Sequence, residues 1–154
     1  MAKAIPEGLS TITPSLSVDG AAEAIEFYKK AFGAEEKMRA FDPSGKKIWH
    51  AHLRIGNSSF FINDLMPDMG GVPTTASLWI YTDGVDAAFD RAVKAGGKAT
   101  MPVSDMFWGD RMGQVNDRWG NRWTIAQHTK DLTPAEMEKA QNAFIAEMSK
   151  QKTK

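Results

Sequence analysis

The sequence contains no cysteine, no net formal charge and no long apolar segment. Without cysteine there is no disulfide framework, no thiolate nucleophile and no cysteine-based metal site. Nineteen lysine and arginine residues balance nineteen aspartate and glutamate residues, so we expect neither nucleic acid nor a membrane surface as a partner. No apolar run approaches the roughly 18 residues of a membrane span, and the N-terminus lacks the apolar core of a signal peptide. These absences predict a soluble, cytoplasmic protein.

Familiar catalytic motifs are also missing. The chain has no Gly-x-Ser-x-Gly nucleophile elbow and no glycine-rich loop of the kind that cradles phosphate. Its adjacent glycines are Gly70-Gly71, in a proline- and glycine-rich segment, and Gly96-Gly97, where a predicted helix ends. Nothing in these patterns indicates nucleophilic catalysis or nucleotide binding.

The 154 residues read as two similar halves and a C-terminal helix. Each half begins with a strand of alternating polar and apolar residues, continues with a helix opened by Asp-Gly and stopped by glycine, and ends with three strands. Thr133 and Glu136 form a capping box that starts the last helix. The predicted divisions are an N-terminal lead (1–10), a first module (11–64), a linker (65–75), a second module (76–129), and a C-terminal helix and tail (130–154).

The two halves are related by a repeat of 64 residues. The pairs that show it are Asp19-Gly20 with Asp83-Gly84, Gly33 with Gly97, and Gly56-Asn57 with Gly120-Asn121. Matches at both ends of a module, in one register, indicate duplication of a βαβββ unit.

Paired βαβββ units with these landmarks resemble the vicinal oxygen chelate superfamily, which includes glyoxalase I, bleomycin-resistance proteins and extradiol dioxygenases. The resemblance is carried by Leu16-Ser-Val-Asp-Gly20, by the turn 117–121, and by Phe107-Trp-Gly-Asp-Arg111 with the segment 127–137, which is similar to the PhnB-like branch. One departure is Arg118, where the family turn usually has proline. The resemblance implies an α+β fold: two tandem βαβββ modules form a curved mixed sheet around a cleft, with an added C-terminal helix. It also implies a homodimer.

The same resemblance implies a divalent metal held by four histidine or glutamate side chains, from the first and last strands of each module. Carried over in the register of the repeat, the four positions are Thr13, Phe60, Ser77 and Thr124. Phenylalanine cannot bind a metal, and neutral hydroxyls are poor ligands for one. We therefore expect no cofactor at the usual site, which argues against glyoxalase I or extradiol dioxygenase activity and leaves open whether the protein is an enzyme.

His50 and His52 keep a metal-dependent alternative open. Two residues apart on one strand, they share a face and could hold Zn, Ni, Mn or Fe, with Asp64 or His128 as a third ligand. If Gly56-Asn57 closes a two-residue turn, Leu53 pairs with Phe60, and both histidines then point away from the cleft. A one-residue bulge would reverse that prediction.

Counting alternate residues from the four metal-equivalent positions predicts an apolar, aromatic cleft with a few hydroxyl groups and one guanidinium group. Its predicted ligand-binding residues are Thr13, Ser15, Trp49, Phe60, Ser77, Trp79, Trp108, Arg111 and Thr124. Asp110 and Arg111 could orient a ligand, but an ion pair that holds the loop is an equally good interpretation of these two residues.

Three functions are compatible with this pattern. The first is a member of the superfamily that binds a small organic ligand without the usual metal. The second is a metal-dependent lyase, isomerase or dioxygenase with a displaced site at His50 and His52. The third is a non-catalytic homodimer in which the aromatic side chains simply fill the cleft.

Overall fold

Helix and strand follow each other in the same order twice, as the repeat predicts. In the computed structural model, which describes residues 1–152, a long helix then ends the chain. The first module contains β1 (Ser15–Val18), α1 (Ala21–Phe32), β2 (Glu35–Phe41), β3 (Ile48–Ile55) and β4 (Ser58–Asp64); the second contains β5 (Ser77–Tyr81), α2 (Val85–Lys94), β6 (Lys98–Asp105), β7 (Asp110–Asn116) and β8 (Arg122–His128); the last helix is α3 (Pro134–Gln151). Residues 153 and 154 of the predicted tail lie outside the described residues.

Each module forms one four-stranded mixed sheet. The strand orders are β1-β4-β3-β2 and β5-β8-β7-β6, with the first strand of each module parallel to its last and the other pairs antiparallel. The α+β class and the tandem βαβββ modules predicted from the sequence are thus confirmed.

The apolar side of each sheet is covered by the helix of its own module, and the two helices contact each other. Along α1, Ala24, Ile25 and Tyr28 lie on one stripe and are fully buried. They pack with Leu16 of β1 and Ile125 of β8 in one continuous hydrophobic core. The helix side of the molecule is therefore shared between the modules.

The carboxylate of Asp117, in the turn between β7 and β8, joins the modules inside this core. Its Oδ2 accepts hydrogen bonds from the Tyr28 hydroxyl (2.6 Å) and the Trp123 indole (2.9 Å), and its Oδ1 accepts backbone N–H groups of Trp119 and Asn121 (2.9 Å each). Burial, together with the charge of Asp117, raises the pKa of Tyr28 far above its usual value. The Tyr28 and Trp123 rings lie 5.0 Å apart, so one polar centre and one aromatic cluster hold α1 to the second sheet.

Arg91 adds a second link between the modules. From α2, its Nε donates to the carbonyl of Lys30 (2.7 Å) and its Nη2 to the carbonyl of Lys29 (3.3 Å). These carbonyls belong to the last turn of α1, which carries the negative end of the helix dipole. The guanidinium of one module therefore caps the helix of the other.

The final helix begins as predicted. Thr133 accepts from the backbone of Glu136, and the Glu136 carboxylate accepts from the backbone of Thr133, which completes the capping box. None of the α3 residues is buried, and its Phe144 ring contacts Phe107 at 5.2 Å. Among residues 1–152, no helix is both long and apolar enough to cross a membrane.

Replacing Tyr28 by phenylalanine should lower the free energy of unfolding by about 1.5–3 kcal/mol, because it removes a buried hydrogen bond to a charged acceptor. Urea unfolding followed by circular dichroism measures this. The matched control is Tyr81→Phe, whose hydroxyl also donates to a carboxylate but whose ring is 60% exposed. We expect Tyr81→Phe to lower the free energy of unfolding by less than half as much as Tyr28→Phe. Equal losses of stability in the two variants would show that the Asp117 centre has no special role.

Candidate functional site

Side chains alternate between the two sides of a strand, so each sheet has a second face, opposite its helix, which we call its open face. On the first sheet, pairing places Met38 opposite His52, His52 opposite Phe61, and Phe61 opposite Ser15. On the second sheet, Trp79 and Gln114 flank Thr124, and Tyr81 and Met112 flank Ala126. Of these residues on the second sheet, Trp79 and Tyr81 are exposed, whereas Met112, Thr124 and Ala126 are buried.

Phe60 is not on the open face, which corrects the sequence prediction. It pairs with Leu53, as expected, but both are buried on the helix side, where Phe60 contacts Tyr28 and Trp123. The 64-residue repeat shortens to 63 by the last strand of each module, because Phe60 and Trp123 occupy matching core positions. The residue that matches Thr124 is therefore Phe61.

Of the other predicted cleft residues, one lies at a strand irregularity and one on the helix side. Trp49 is half exposed at an irregularity of β3, where Ala40 pairs with His50 and Phe41 with Ile48, so that the strict alternation fails there. Arg111 lies on the helix side, where it donates to both carboxylate oxygens of Asp86 (2.9 and 2.7 Å) and to Asp105 (3.2 Å).

These carboxylates raise the pKa of Arg111. The guanidinium predicted for the mouth of the cleft is thus neutralised on the other side of the sheet. Arg111 does form ion pairs, but its partners are Asp86 and Asp105 and not Asp110.

The open face of the second sheet carries an exposed aromatic pair. Trp79 and Tyr81 are 46% and 60% exposed, their ring centroids are 6.1 Å apart, and their planes are inclined by 34°. The Tyr81 hydroxyl and the Trp108 indole both donate to Asp110 Oδ2 at 3.0 Å. Trp79, Tyr81 and Trp108 therefore belong to one surface, anchored at one end by a buried carboxylate.

Asp110 is 4% exposed and is also bound by histidine. Burial alone would raise its pKa, but hydrogen bonds from His128, Tyr81 and Trp108 outweigh burial and lower it. His128 contacts Asp110 through Nδ1 (2.8 Å) and Asp131 through Nε2 (2.9 Å), and these two carboxylates raise the pKa of His128. Protonated His128 can donate to both carboxylates at once, which ties the end of β8 to the segment that leads into α3.

His50 and His52 lie on the open face of the first sheet, whereas strand parity predicted that they point away from the cleft, toward the helix layer or an interface. Their rings pack on Phe61, with centroids 4.5 and 5.7 Å away. Partial burial lowers the pKa of His52, and the charges of His50, Lys37 and Arg54 lower it further.

Neither of the expected third ligands is available to them. Asp64 accepts from the backbone N–H groups of Gly20 and Ala21 through Oδ1 and of Ile48 through Oδ2, and His128 belongs to the other module. Within residues 1–152, no group of three histidine, aspartate or glutamate side chains could hold a metal ion.

The side chains at the family's metal positions do not fit a divalent ion. Once Phe61 replaces Phe60, the set is Thr13, Phe61, Ser77 and Thr124. Thr13 donates to the carbonyl of Ser10 (3.1 Å), and buried Thr124 accepts from the Gln114 amide (3.2 Å). This set contains neutral hydroxyls and a hydrocarbon ring but no imidazole or carboxylate.

Tyr81, Met38 and the His128 pair were missed by the sequence reasoning, although the signals were present. Tyr81 is two residues beyond Trp79 on the same strand and must share its face. Asp110 and His128 become neighbours as soon as β7 and β8 are paired across the turn at 117–121.

The histidines should titrate in a definite order. We expect the His128 imidazole to show a pKa above 6.5 and His52 one below it, and Asp110→Asn should lower the His128 value while leaving His52 unchanged. Proton NMR of the ring Cε1–H signals measures all three histidines at once. Because the folded-state pKa of His128 is raised, its contribution to stability is present below pH 6.5 and is lost as pH rises through the folded value. The reverse order of titration would contradict the geometry of this cluster.

Comparison with known proteins agrees with the architecture. Residues 9–125 match the model of the Glyoxalase/Bleomycin resistance protein/Dioxygenase superfamily. An uncharacterised protein of Mycobacterium tuberculosis is 40% identical over 143 residues, covering 86% of this chain and 82% of that protein.

Solved structures share the fold. TioX from Micromonospora sp. ML1 superposes with a TM-score of 0.65 at 24% identity, covering 77% of this chain and 98% of TioX. A PhnB protein from Bacillus cereus, described as a putative 3-demethylubiquinone-9 3-methyltransferase, superposes with a TM-score of 0.55 at 17% identity, covering 77% of this chain and 99% of that one. By its repeat, its paired modules and the match over residues 9–125, this chain belongs to the Glyoxalase/Bleomycin resistance protein/Dioxygenase superfamily.

Proposed function

We propose that this chain binds a small organic molecule with a flat apolar part on the open face of its second sheet, without the divalent metal usual in the family. The observation that carries the proposal is the exposed Trp79 and Tyr81 pair beside Trp108. Flat aromatic side chains bind flat ligands through stacking and through burial of apolar area. Covering a half-exposed ring with a ligand is favourable, because the apolar surface that the ring still exposes is then removed from water.

Polar groups beside the rings supply the specificity that a purely apolar surface would lack. Ser77 lies at one end of β5, and His128 with Asp110 lies at the far end of the same face. Of these groups, Ser77 is exposed and can hydrogen-bond a ligand, whereas the Asp110 carboxylate is occupied by three donors and both His128 nitrogens are engaged by Asp110 and Asp131. The ligand class that fits is an aromatic or conjugated molecule with a polar substituent.

A second copy of the chain completes the site in this proposal. Both open faces carry exposed large apolar side chains, among them Met38 on the first sheet and Trp79 on the second. Packing the first sheet of one protomer over the second sheet of its partner would cover both surfaces and turn each open face into a cleft. The proposed protein is thus a cytoplasmic homodimer with two equivalent ligand sites, to which Ser15 contributes from the first sheet.

Two rival functions make different demands. A metal-dependent lyase, isomerase or dioxygenase at His50 and His52 needs a further oxygen or nitrogen ligand, and Asp64 is committed to the start of α1. A non-catalytic structural homodimer needs Trp79 and Tyr81 to be buried completely by the partner, with no room for a ligand. Binding of a small organic ligand requires neither a further metal ligand nor complete burial of these two rings.

Trp79→Ala should weaken binding of an aromatic probe about tenfold or more, because it removes one wall of the stacking surface; tenfold corresponds to about 1.4 kcal/mol. Calorimetry with 1-anilinonaphthalene-8-sulfonate, and then ligand-observed NMR of an aromatic fragment set, measures it. Trp49→Ala is the matched control, since Trp49 has the same residue type and a similar exposure of 49% but lies on the other sheet.

The metal requirement is tested in the same titration. Affinity should be unchanged after dialysis against EDTA. Loss of binding in EDTA would favour the metal-dependent rival, and a dimer that binds no member of the set would favour the structural one. Equal losses from the two tryptophan variants would contradict the assignment to the second sheet.

A further inference from the structure

A second group of chemically active side chains lies on the open face of the first sheet, in the module that does not carry Trp79 and Tyr81. His50 and His52 alternate along β3 and share that face, and Met38 on β2 is directly opposite His52. Residues two apart on a strand are separated by about 6.6 Å, and directly opposed residues by about 5 Å between Cβ atoms. Two imidazoles and one thioether therefore converge on a single patch.

The imidazole nitrogens of this patch are not engaged by other groups of the protein. Among residues 1–152, neither imidazole forms a hydrogen bond, and His52 Nε2 is buried without a partner. A buried polar atom without a partner costs free energy, which a bound ligand would recover. Met38 is 45% exposed in the isolated chain.

The chemistry of the donors indicates which ion they would take. Two nitrogen donors and one thioether sulfur are soft or borderline ligands, and thioether favours Cu(I) over Zn(II), Mn(II) or Fe(II). The patch contains no carboxylate, and Lys37 and Arg54 act on His52 with positive charge. A divalent ion would meet that charge without neutralisation, whereas a monovalent ion is opposed about half as strongly.

We propose that Met38, His50 and His52 form a binding site for a monovalent soft metal ion, and Cu(I) is the ion that these donors favour. The ion is held by two imidazole nitrogens and the Met38 sulfur in a three-coordinate arrangement. The Phe61 ring, packed against both imidazoles, shields that side of the ion from water. The site uses none of the side chains of the aromatic surface on the second sheet, although in the proposed dimer it would face that surface of the partner.

Competition with the Cu(I)–ferrozine complex, under anaerobic conditions with the full-length protein, tests the proposal. One Cu(I) should be withdrawn per chain. His52→Asn and Met38→Leu should each lower the affinity at least tenfold, and X-ray absorption should show a copper–sulfur distance that is absent in Met38→Leu.

Matched controls separate this site from the other potential ligands. Met101→Leu changes an exposed methionine of β6, and His128→Asn changes the histidine of the other sheet; both should retain full Cu(I) affinity. Thermal unfolding confirms that each variant is folded, which is expected because Met38 is exposed and His52 only partly buried. Failure to remove Cu(I) from ferrozine would overturn the proposal, as would Cu(I) affinity that survives both His52→Asn and Met38→Leu.

Discussion

One buried carboxylate decides how the two halves of this protein meet. Asp117 lies in a turn of the second module and accepts the hydroxyl of Tyr28 from the first, while it also binds the Trp123 indole. A charge in an apolar core is tolerated only when its oxygens are bound by donors, and four hydrogen bonds supply them here. Because Tyr28 and Trp123 point to the helix side of their modules, satisfying Asp117 brings the two helix sides together.

This constraint has a direct consequence for function. With the helix sides committed to the shared core, each sheet is left with an open face that its own helix does not cover. The first open face presents imidazole and thioether groups, and the second presents aromatic rings around a hydrogen-bonded carboxylate. The duplication therefore produced two surfaces of similar backbone shape and different chemistry, which is why a soft metal and a flat organic ligand are assigned to different sheets.

The sequence predicted the modules well because the repeat is marked by glycine at points where the backbone needs it. Gly20, Gly33, Gly56 and Gly120 all adopt positive φ, so their positions mark the ends of helices and hairpins. The faces of the strands were harder to predict. The offset between modules falls from 64 to 63 by the last strand, and a shift of one residue moves a side chain to the other face.

That shift explains why Phe60 was expected in the cleft when its neighbour Phe61 is on the open face. The face of the first sheet was also reversed, since Leu53 and Phe60 pair as predicted but point to α1. Alternation alone gives two faces and does not say which one the helix covers. The apolar pairs Leu53 with Phe60 and Ala51 with Ile62 were a signal for the helix side. The polar residues that alternate with them along β3, namely His50, His52 and Arg54, were a signal for the open side.

Arg111 shows that the partners of a charged side chain are harder to predict from sequence than the strand that carries it. A guanidinium beside tryptophans suggests a binding site, but its partners Asp86 and Asp105 come from other elements, and only the folded chain brings them together.

The most direct test of the account is a nitrogen–proton NMR spectrum of the five tryptophan indole groups, recorded with and without a bound aromatic ligand. If the ligand binds on the open face of the second sheet, the signals of Trp79 and Trp108 should move, while those of Trp119 and Trp123, which belong to the helix side, should stay in place. Movement of Trp123 without movement of Trp79 would place the ligand in the core between the modules and contradict the assignment of the open face.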